Sequence, residues 1–300
     1  MTKQHTAEPG SYGWMLFILL SVIWGSSFIL MKEGLLHLNA WQVASLRIIS
    51  AGLVLLPTAI KTFKSIPGNK IGFIFLSGML GSLLPAYLFC IAEQEIDSAL
   101  AGVLNSLTPI FVILFGVLFF GQKIPLNKIL GIAVALGGSV LLFLSQDKVS
   151  FTNFLYGFFI LVATMLYGIN VNMVHKYLQG IPSLRVVSLA MVMNSVPALL
   201  VLVITGYFRL PLADKGVLWS TAAAFILGVA GTAIASILFY ALIKRAGVVF
   251  SSMVTYGIPV VAIAWGIIYG EKVGWVQVLC LGIILSGVYI ANRAKKSVKD

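Results

Sequence analysis

Charge is what this 300-residue chain has least of. Asp, Glu, Lys and Arg together make up 10% of it, and only nine residues are acidic. A soluble domain of this length needs far more polar surface, so a soluble globular fold is excluded. Cysteine is nearly absent: Cys90 and Cys280 both lie in apolar runs, without CxxC spacing, and give no basis for a redox or metal site. The three histidines, His5, His37 and His175, are scattered, which argues against zinc. No Walker-type glycine loop occurs, so ATP is not the expected energy source. The apolar runs hold serines but no deep Asp, Glu or His to activate them, which counts against a multispan membrane enzyme. A sensor would usually carry a soluble output domain, and none interrupts the runs. The expectation is therefore no catalytic residue, no metal and no cofactor.

Apolar residues are abundant instead: 60% of the chain is hydrophobic and the mean hydropathy is +1.03. Crossing a hydrocarbon layer of about 30 Å takes about 20 helical residues. Ten runs qualify, approximately 13–31, 39–60, 71–92, 99–120, 126–144, 154–174, 184–207, 217–243, 248–269 and 273–292. The reading is an all-α polytopic membrane protein. The first run is too long for a cleaved signal peptide and lacks a small-x-small cleavage site. The connections are short, so function must reside within the membrane.

Basic residues fix the expected orientation. With the amino terminus cytoplasmic, the cytoplasmic segments hold Lys3, Lys61, Lys64, Lys70, Lys123, Lys128, Lys176, Arg185, Lys244, Arg245, Arg293, Lys295, Lys296 and Lys299. The opposite side holds only Lys32, Lys148, Arg209, Lys215 and Lys272, and Arg47 falls within a span. The positive-inside rule selects this arrangement, with both termini cytoplasmic. It accounts for the +11 net charge through loops facing anionic lipid, with no nucleic-acid partner implied.

The chain also repeats itself. LTPIFVILFGVLFFGQK at 107–123 returns as YGIPVVAIAWGIIYGEK at 256–272, and each copy leads into an apolar run with paired glycines, Gly137 and Gly138 or Gly282 and Gly287. The fourth and ninth runs are thus equivalent and five spans apart, so they cross in opposite directions. This predicts ten transmembrane helices as two inverted five-helix repeats, over residues 1–148 and 149–300. Such repeats can open a shared site alternately to either side.

The chain resembles the ten-span, EamA-type branch of the drug/metabolite transporter superfamily. The residues that carry the resemblance are Trp24-Gly25-Ser26-Ser27-Phe28 with Lys32, Leu46-Arg47 with Ala51-Gly52 and Leu55-Leu56-Pro57, and the segments Pro109 to Gly121 and Pro259 to Glu271. Similarity runs from about Trp14 to Arg293. Gln122 stands where the family more often has glutamate. The resemblance implies a transporter of small organic solutes in the plasma membrane, in bacteria often an exporter of amino acids, working through a cavity between the halves. The fold does not name the solute.

The chain's own polar residues suggest where that solute would sit. Arg47 lies roughly 12 Å below the outer surface at 1.5 Å per helical residue, where an unpaired charge costs at least ~2.5 kcal/mol. It could grip a substrate carboxylate, pair with Glu33 or Glu93, or snorkel to the outer headgroups. Trp24 and its repeat partner Tyr167 lie at mid-depth, followed by Gly25 and Gly168, then by Ser27 and Asn170. Together they suit a cavity wall, although small polar residues also serve helix packing. Pro109 and Pro259 are expected hinges that free the carbonyls of Asn105 and Thr255. Tyr87, Tyr240 and Tyr256 are further candidates for the wall. Glu93 is the candidate proton carrier, closest of the outer carboxylates to a span. Gly266 and Gly270 form a GxxxG at the end of the ninth run and leave a homo-oligomer possible.

Overall fold

A computed structural model of the chain describes residues 11–121, 130–131, 133–138, 141, 151–239, 241–242, 254–270 and 274–292. The described residues are helical, without strands. They form α1 (Ser11–Leu35), α2 (Ala40–Phe63), α3 (Gly68–Gly78), α4 (Leu84–Ala92), α5 (Ser98–Asn105), α6 (Thr108–Leu118), α7 (Phe151–Tyr177), α8 (Ser183–Ile204), α9 (Lys215–Ile226), α10 (Val254–Ile268) and α11 (Trp275–Asn292). Seven stretches among them are long and apolar enough to cross a membrane. α10 and α11 are shorter and apolar. The fifth expected span falls largely outside the described residues.

Local chemistry sets the helix ends. Asn39 and Gln42 form a reciprocal capping box at the start of α2, with Asn39 Oδ1 accepting from Gln42 N at 2.9 Å and Gln42 Oε1 from Asn39 N at 3.1 Å. Asp214 caps α9 by accepting from the Gly216 and Val217 amides. Gly121 and Gly270, which close the repeated segments, both take positive φ just past α6 and α10, a conformation that stops a helix cheaply only at glycine.

The connections gather at two ends of the bundle. At one end Lys32 pairs with Asp97 at 3.6 Å, Trp219 Nε1 donates to Glu33 at 2.6 Å, and Gln42 Nε2 donates to the Thr205 carbonyl at 3.1 Å. At the other, Arg185 donates to Ser65 at 3.0 Å, Phe73 stacks on Tyr177, and Lys176 lies over Phe120. Between them Leu20, Ile48, Leu104, Leu107, Ile110 and Leu227 are fully buried, whereas Ile60, Ile204 and Trp275 face outward. Apolar side chains on the outside suit a lipid surroundings, where backbone groups are already bonded within helices.

Helix pairing follows a pattern. α2 packs along α8; α1 packs against α9 and α10; α7 packs against α3, α4 and α6. Small residues permit the closest approaches. A side chain at Gly25 would meet the Ile258 carbonyl at 3.0 Å, and one at Gly168 would meet the Phe111 backbone at 2.7 Å.

Two π segments were not foreseen. Met79–Leu83 joins α3 to α4, and Leu227–Ile234 follows α9. Both stand midway along a 25-residue apolar helix, 68–92 and 215–239. Leu84 N donates to the Met79 carbonyl and Ala235 N to the Ala230 carbonyl, one residue further back than in an α-helix. In the first case Pro85 follows and has no N–H to return the ladder to register.

The two prolines behave differently. At Pro109 the helix breaks: α5 ends at Asn105, Ser106 and Leu107 form a tight turn, and α6 begins at Thr108. The freed Asn105 carbonyl accepts from the Thr108 hydroxyl at 2.8 Å. Pro259 instead sits inside a continuous α10, where Ile258 occupies the place of Thr108 and has no hydroxyl to offer.

Candidate functional site

A cavity of about 390 Å³ lies among α1, α2, the two π segments, α5, α7, α8 and α10. That volume suits a small organic molecule. It reaches from Met31, Arg47 and Tyr167 to His175, Gln179 and Ser183 at the turn joining α7 to α8. That turn belongs to the end that carries Lys70, Lys176 and Arg185.

The π segments shape its walls. Because Ala235 N donates to Ala230, the Gly231 carbonyl is released from the helix ladder, and the Trp24 indole N–H donates to it at 2.9 Å. This explains how a tryptophan at mid-depth satisfies its indole away from the headgroups. Gly231 admits the contact because nothing projects from it; a Cβ there would lie 2.7 Å from Ser27 Oγ. Gly81, in the other π segment, lies under the Asn170 amide in the same way.

Arg47 enters the cavity from α2. Its Nε donates to Thr232 Oγ1 at 2.8 Å, and one Nη lies 3.9 Å from the Met31 sulfur. Neither Glu33 nor Glu93 is within ion-pair distance of it among the described residues. Three of its five N–H donors thus remain for a ligand, all on the terminal nitrogens. Facing it, Phe28 meets Phe89 edge-on at 5.9 Å, Phe89 stacks with Tyr167 at 6.3 Å, and Trp24 meets Phe239 edge-on at 5.1 Å. Asn170 is 91% buried in this wall, and its Oδ1 has no hydrogen-bond partner among the described residues.

Of the residues singled out in the sequence, Trp24, Ser27, Arg47, Asn105, Tyr167, Asn170 and Thr255 line the cavity. Tyr87 and Tyr256 do not. Tyr87 shares a 2.9 Å hydrogen bond with Ser45 and packs on Trp41, and Tyr256 packs against the main apolar core. Tyr240 lies outside the described residues. Glu93 is buried at the end of α4, apart from the lining. Asn172 ties helices together, donating to the Val112 and Gly168 carbonyls.

Thr232, the glycines beneath it and the π segments escaped the sequence reading, yet a signal was present. Gly78-Met-Leu-Gly81-Ser82 recurs as Gly228-Val-Ala-Gly231-Thr232. Each outer glycine touches the long antiparallel pair: Gly78 lies against Asn194 and the Ala190 carbonyl of α8, Gly228 against Ser50 and the Arg47 carbonyl of α2.

A helical, apolar-faced bundle with a polar, aromatic cavity reaching mid-depth is the architecture of a membrane solute carrier, and the chain is a membrane transporter. It belongs to the EamA-like transporter family, whose model matches residues 11–144 and again 155–293. Among its relatives, an "Uncharacterized transporter" of Archaeoglobus fulgidus is 26% identical over 94% of this chain and 99% of its own. A protein of Streptantibioticus cattleyicolor described as "Probable terminal-alkyne amino-acid exporter" is 25% identical, over 93% of both chains. A solved crystal structure matches with a TM-score of 0.65 at 13% identity, covering 94% of this chain and 96% of that one, a likeness of fold alone.

Proposed function

We propose that the chain is a secondary transporter that exports small organic metabolites such as amino acids by alternating access. The reading takes ten spans in two inverted repeats, 1–148 and 149–300, with both termini cytoplasmic and the protein in the plasma membrane. Two facts support the inversion. The family model matches the two halves separately. Contacts also exchange between halves, since α1 meets α9 and α10 as α7 meets α3–α4 and α6, while α2 meets its own counterpart α8. A pseudo-two-fold axis through the α2–α8 contact produces that exchange, and it is the symmetry alternating access requires.

The observation that carries the solute class is Arg47, a guanidinium lining an aromatic cavity with no carboxylate beside it among the described residues. An amino acid supplies both the carboxylate and an apolar part. Direction rests on the exporter named among the relatives. In this conformation the cavity reaches the basic end, the cytoplasmic one under the positive-inside rule, as loading for export needs. Trp24, Ser27, Arg47, Asn105, Tyr167, Asn170 and Thr255 are the proposed contacts. Pro109 and Pro259 are the proposed hinges, and Glu93 the proton carrier if transport is proton-coupled.

The test loads cells overexpressing the protein with peptides and amino acids, then compares extracellular metabolites by mass spectrometry with those of Arg47→Ala and empty-vector cells. Amino acids accumulating only with the intact protein are expected. Equal export by Arg47→Ala at normal membrane expression would remove Arg47 from the site, and no difference from empty vector would refute amino-acid export.

A further inference from the structure

The amino-acid reading leaves open which part of the solute is recognised. Among the described residues, Arg47 is the only arginine or lysine in the cavity lining, and that lining contains no aspartate or glutamate. Its Nε is held by Thr232 and one Nη N–H points to the Met31 sulfur, so the guanidinium is fixed in direction while its other terminal N–H donors remain open to a ligand. A carboxylate placed there completes a fork-to-fork pair and neutralises a charge that is otherwise costly at this depth. An ammonium finds no such counter-charge. It would meet the guanidinium's repulsion, with no carboxylate among the described lining residues and only uncharged acceptors to receive it, such as aromatic faces, the Asn105, Asn170 and Gln179 amide oxygens and the Ser27, Thr108 and Thr255 hydroxyls.

We infer that this cavity selects monocarboxylates with an apolar, preferably aromatic, tail, and that the α-amino group of an amino acid is dispensable for binding. The inference rests on the proposed central solute site and deepens it. The carboxylate lies on Arg47 and the tail lies against Phe28, Phe89 and Tyr167, whose rings form one continuous wall. Organic cations of the same size are excluded by charge rather than by shape. The structure thus favours a carrier for organic acids, of which amino acids are a subset, over one for lipophilic cations.

The experiment uses the purified full chain in detergent and measures ligand-dependent thermal stabilisation with three probes of matched tail: phenylalanine, 3-phenylpropionate, which lacks the amino group, and phenethylamine, which lacks the carboxylate. The two acids are expected to bind within about threefold of each other, and phenethylamine at least about tenfold more weakly, as loss of one charge-assisted pair implies. Arg47→Gln should weaken both acids about tenfold and remove the discrimination against the amine. Thr232→Val, which frees the guanidinium without removing it, should weaken the acids by a smaller factor. Phenylalanine binding more than tenfold tighter than 3-phenylpropionate would overturn the inference. So would phenethylamine matching the acids, or no stabilisation by any probe at millimolar concentration. Flux of labelled phenylalanine from proteoliposomes is measured separately. Carboxylate-selective binding without flux would sink the exporter reading alone, and flux with equal binding of the amine would sink only the present inference.

Discussion

Trp24→Phe tests the link between the second π segment and the cavity. The substitution keeps a ring against Phe239, 5.1 Å away in the parent, but removes the donor to the Gly231 carbonyl. That carbonyl has lost its helix donor, because Ala235 N is committed to Ala230. An orphaned buried acceptor costs about 1–3 kcal/mol in water-soluble proteins, although interhelical hydrogen bonds in membranes average nearer about 0.6. The smaller ring adds a packing loss on the order of 1 kcal/mol, for a total near 2. Trp265→Phe is the matched control. Its indole donates to Ser26 Oγ at 2.8 Å, and a released serine can bond back to its own helix, as Ser21 and Ser27 do at 2.8 and 2.9 Å. The packing loss is then shared while the orphan is not. Trp24→Phe should be the more destabilised by about 1 kcal/mol, roughly fivefold in the unfolding equilibrium. Reversible unfolding in mixed micelles measures both. Equal destabilisation would refute the claim that the released Gly231 carbonyl depends on the indole for its partner.

Gly228→Ala should destabilise by more than about 2 kcal/mol in the same assay, since its methyl would press on Ser50 and the Arg47 backbone. Gly72→Ala, with nothing within 4 Å, should instead stabilise by about 0.5–1 kcal/mol through helix propensity. Thr108→Val should cost about 1–2 kcal/mol by leaving the Asn105 carbonyl without its 2.8 Å partner, and Thr108→Ser should recover most of it. If transport is proton-coupled, Glu93→Gln should lose the parent's pH dependence across a pH series in vesicles; an unchanged profile would remove Glu93 from proton coupling.

Much of the fold was legible because its signals are local and strong. Composition gave the membrane class, and the repeated apolar runs stop at Gly121 and Gly270, where the structure places positive-φ turns. The cavity was legible in part. Trp24, Arg47 and Asn170 stood out because a polar group at depth demands a partner, and depth can be counted along a helix. Tyr87 and Tyr256 could not be told apart from lining residues, because a helix that is apolar all round hides its phase. The π segments were missed for a related reason: they shift hydrogen bonds by one residue without altering hydrophobicity, so only the recurring glycine pairs betrayed them.

The devices that recur and those that do not divide along a physical line. The Gly-x-x-Gly segments, the π turns and the small residues at Gly25 and Gly168 appear in both halves, and all of them govern how closely backbones approach. Arg47 has no such echo: by the spacing that pairs Trp24 with Tyr167, its counterpart on α8 is Ala190. Ser82, the counterpart of Thr232, correspondingly has no guanidinium to hold. Exchange of conformation between halves needs matched packing, since a mismatch would favour one state by its own contact energy. Recognition has no such requirement. Under the proposed alternating access, a single charge near the α2–α8 contact can serve both conformations if the helices that carry it move little, and α2, packed along α8 and bonded to Thr205 through Gln42, is well placed to do so.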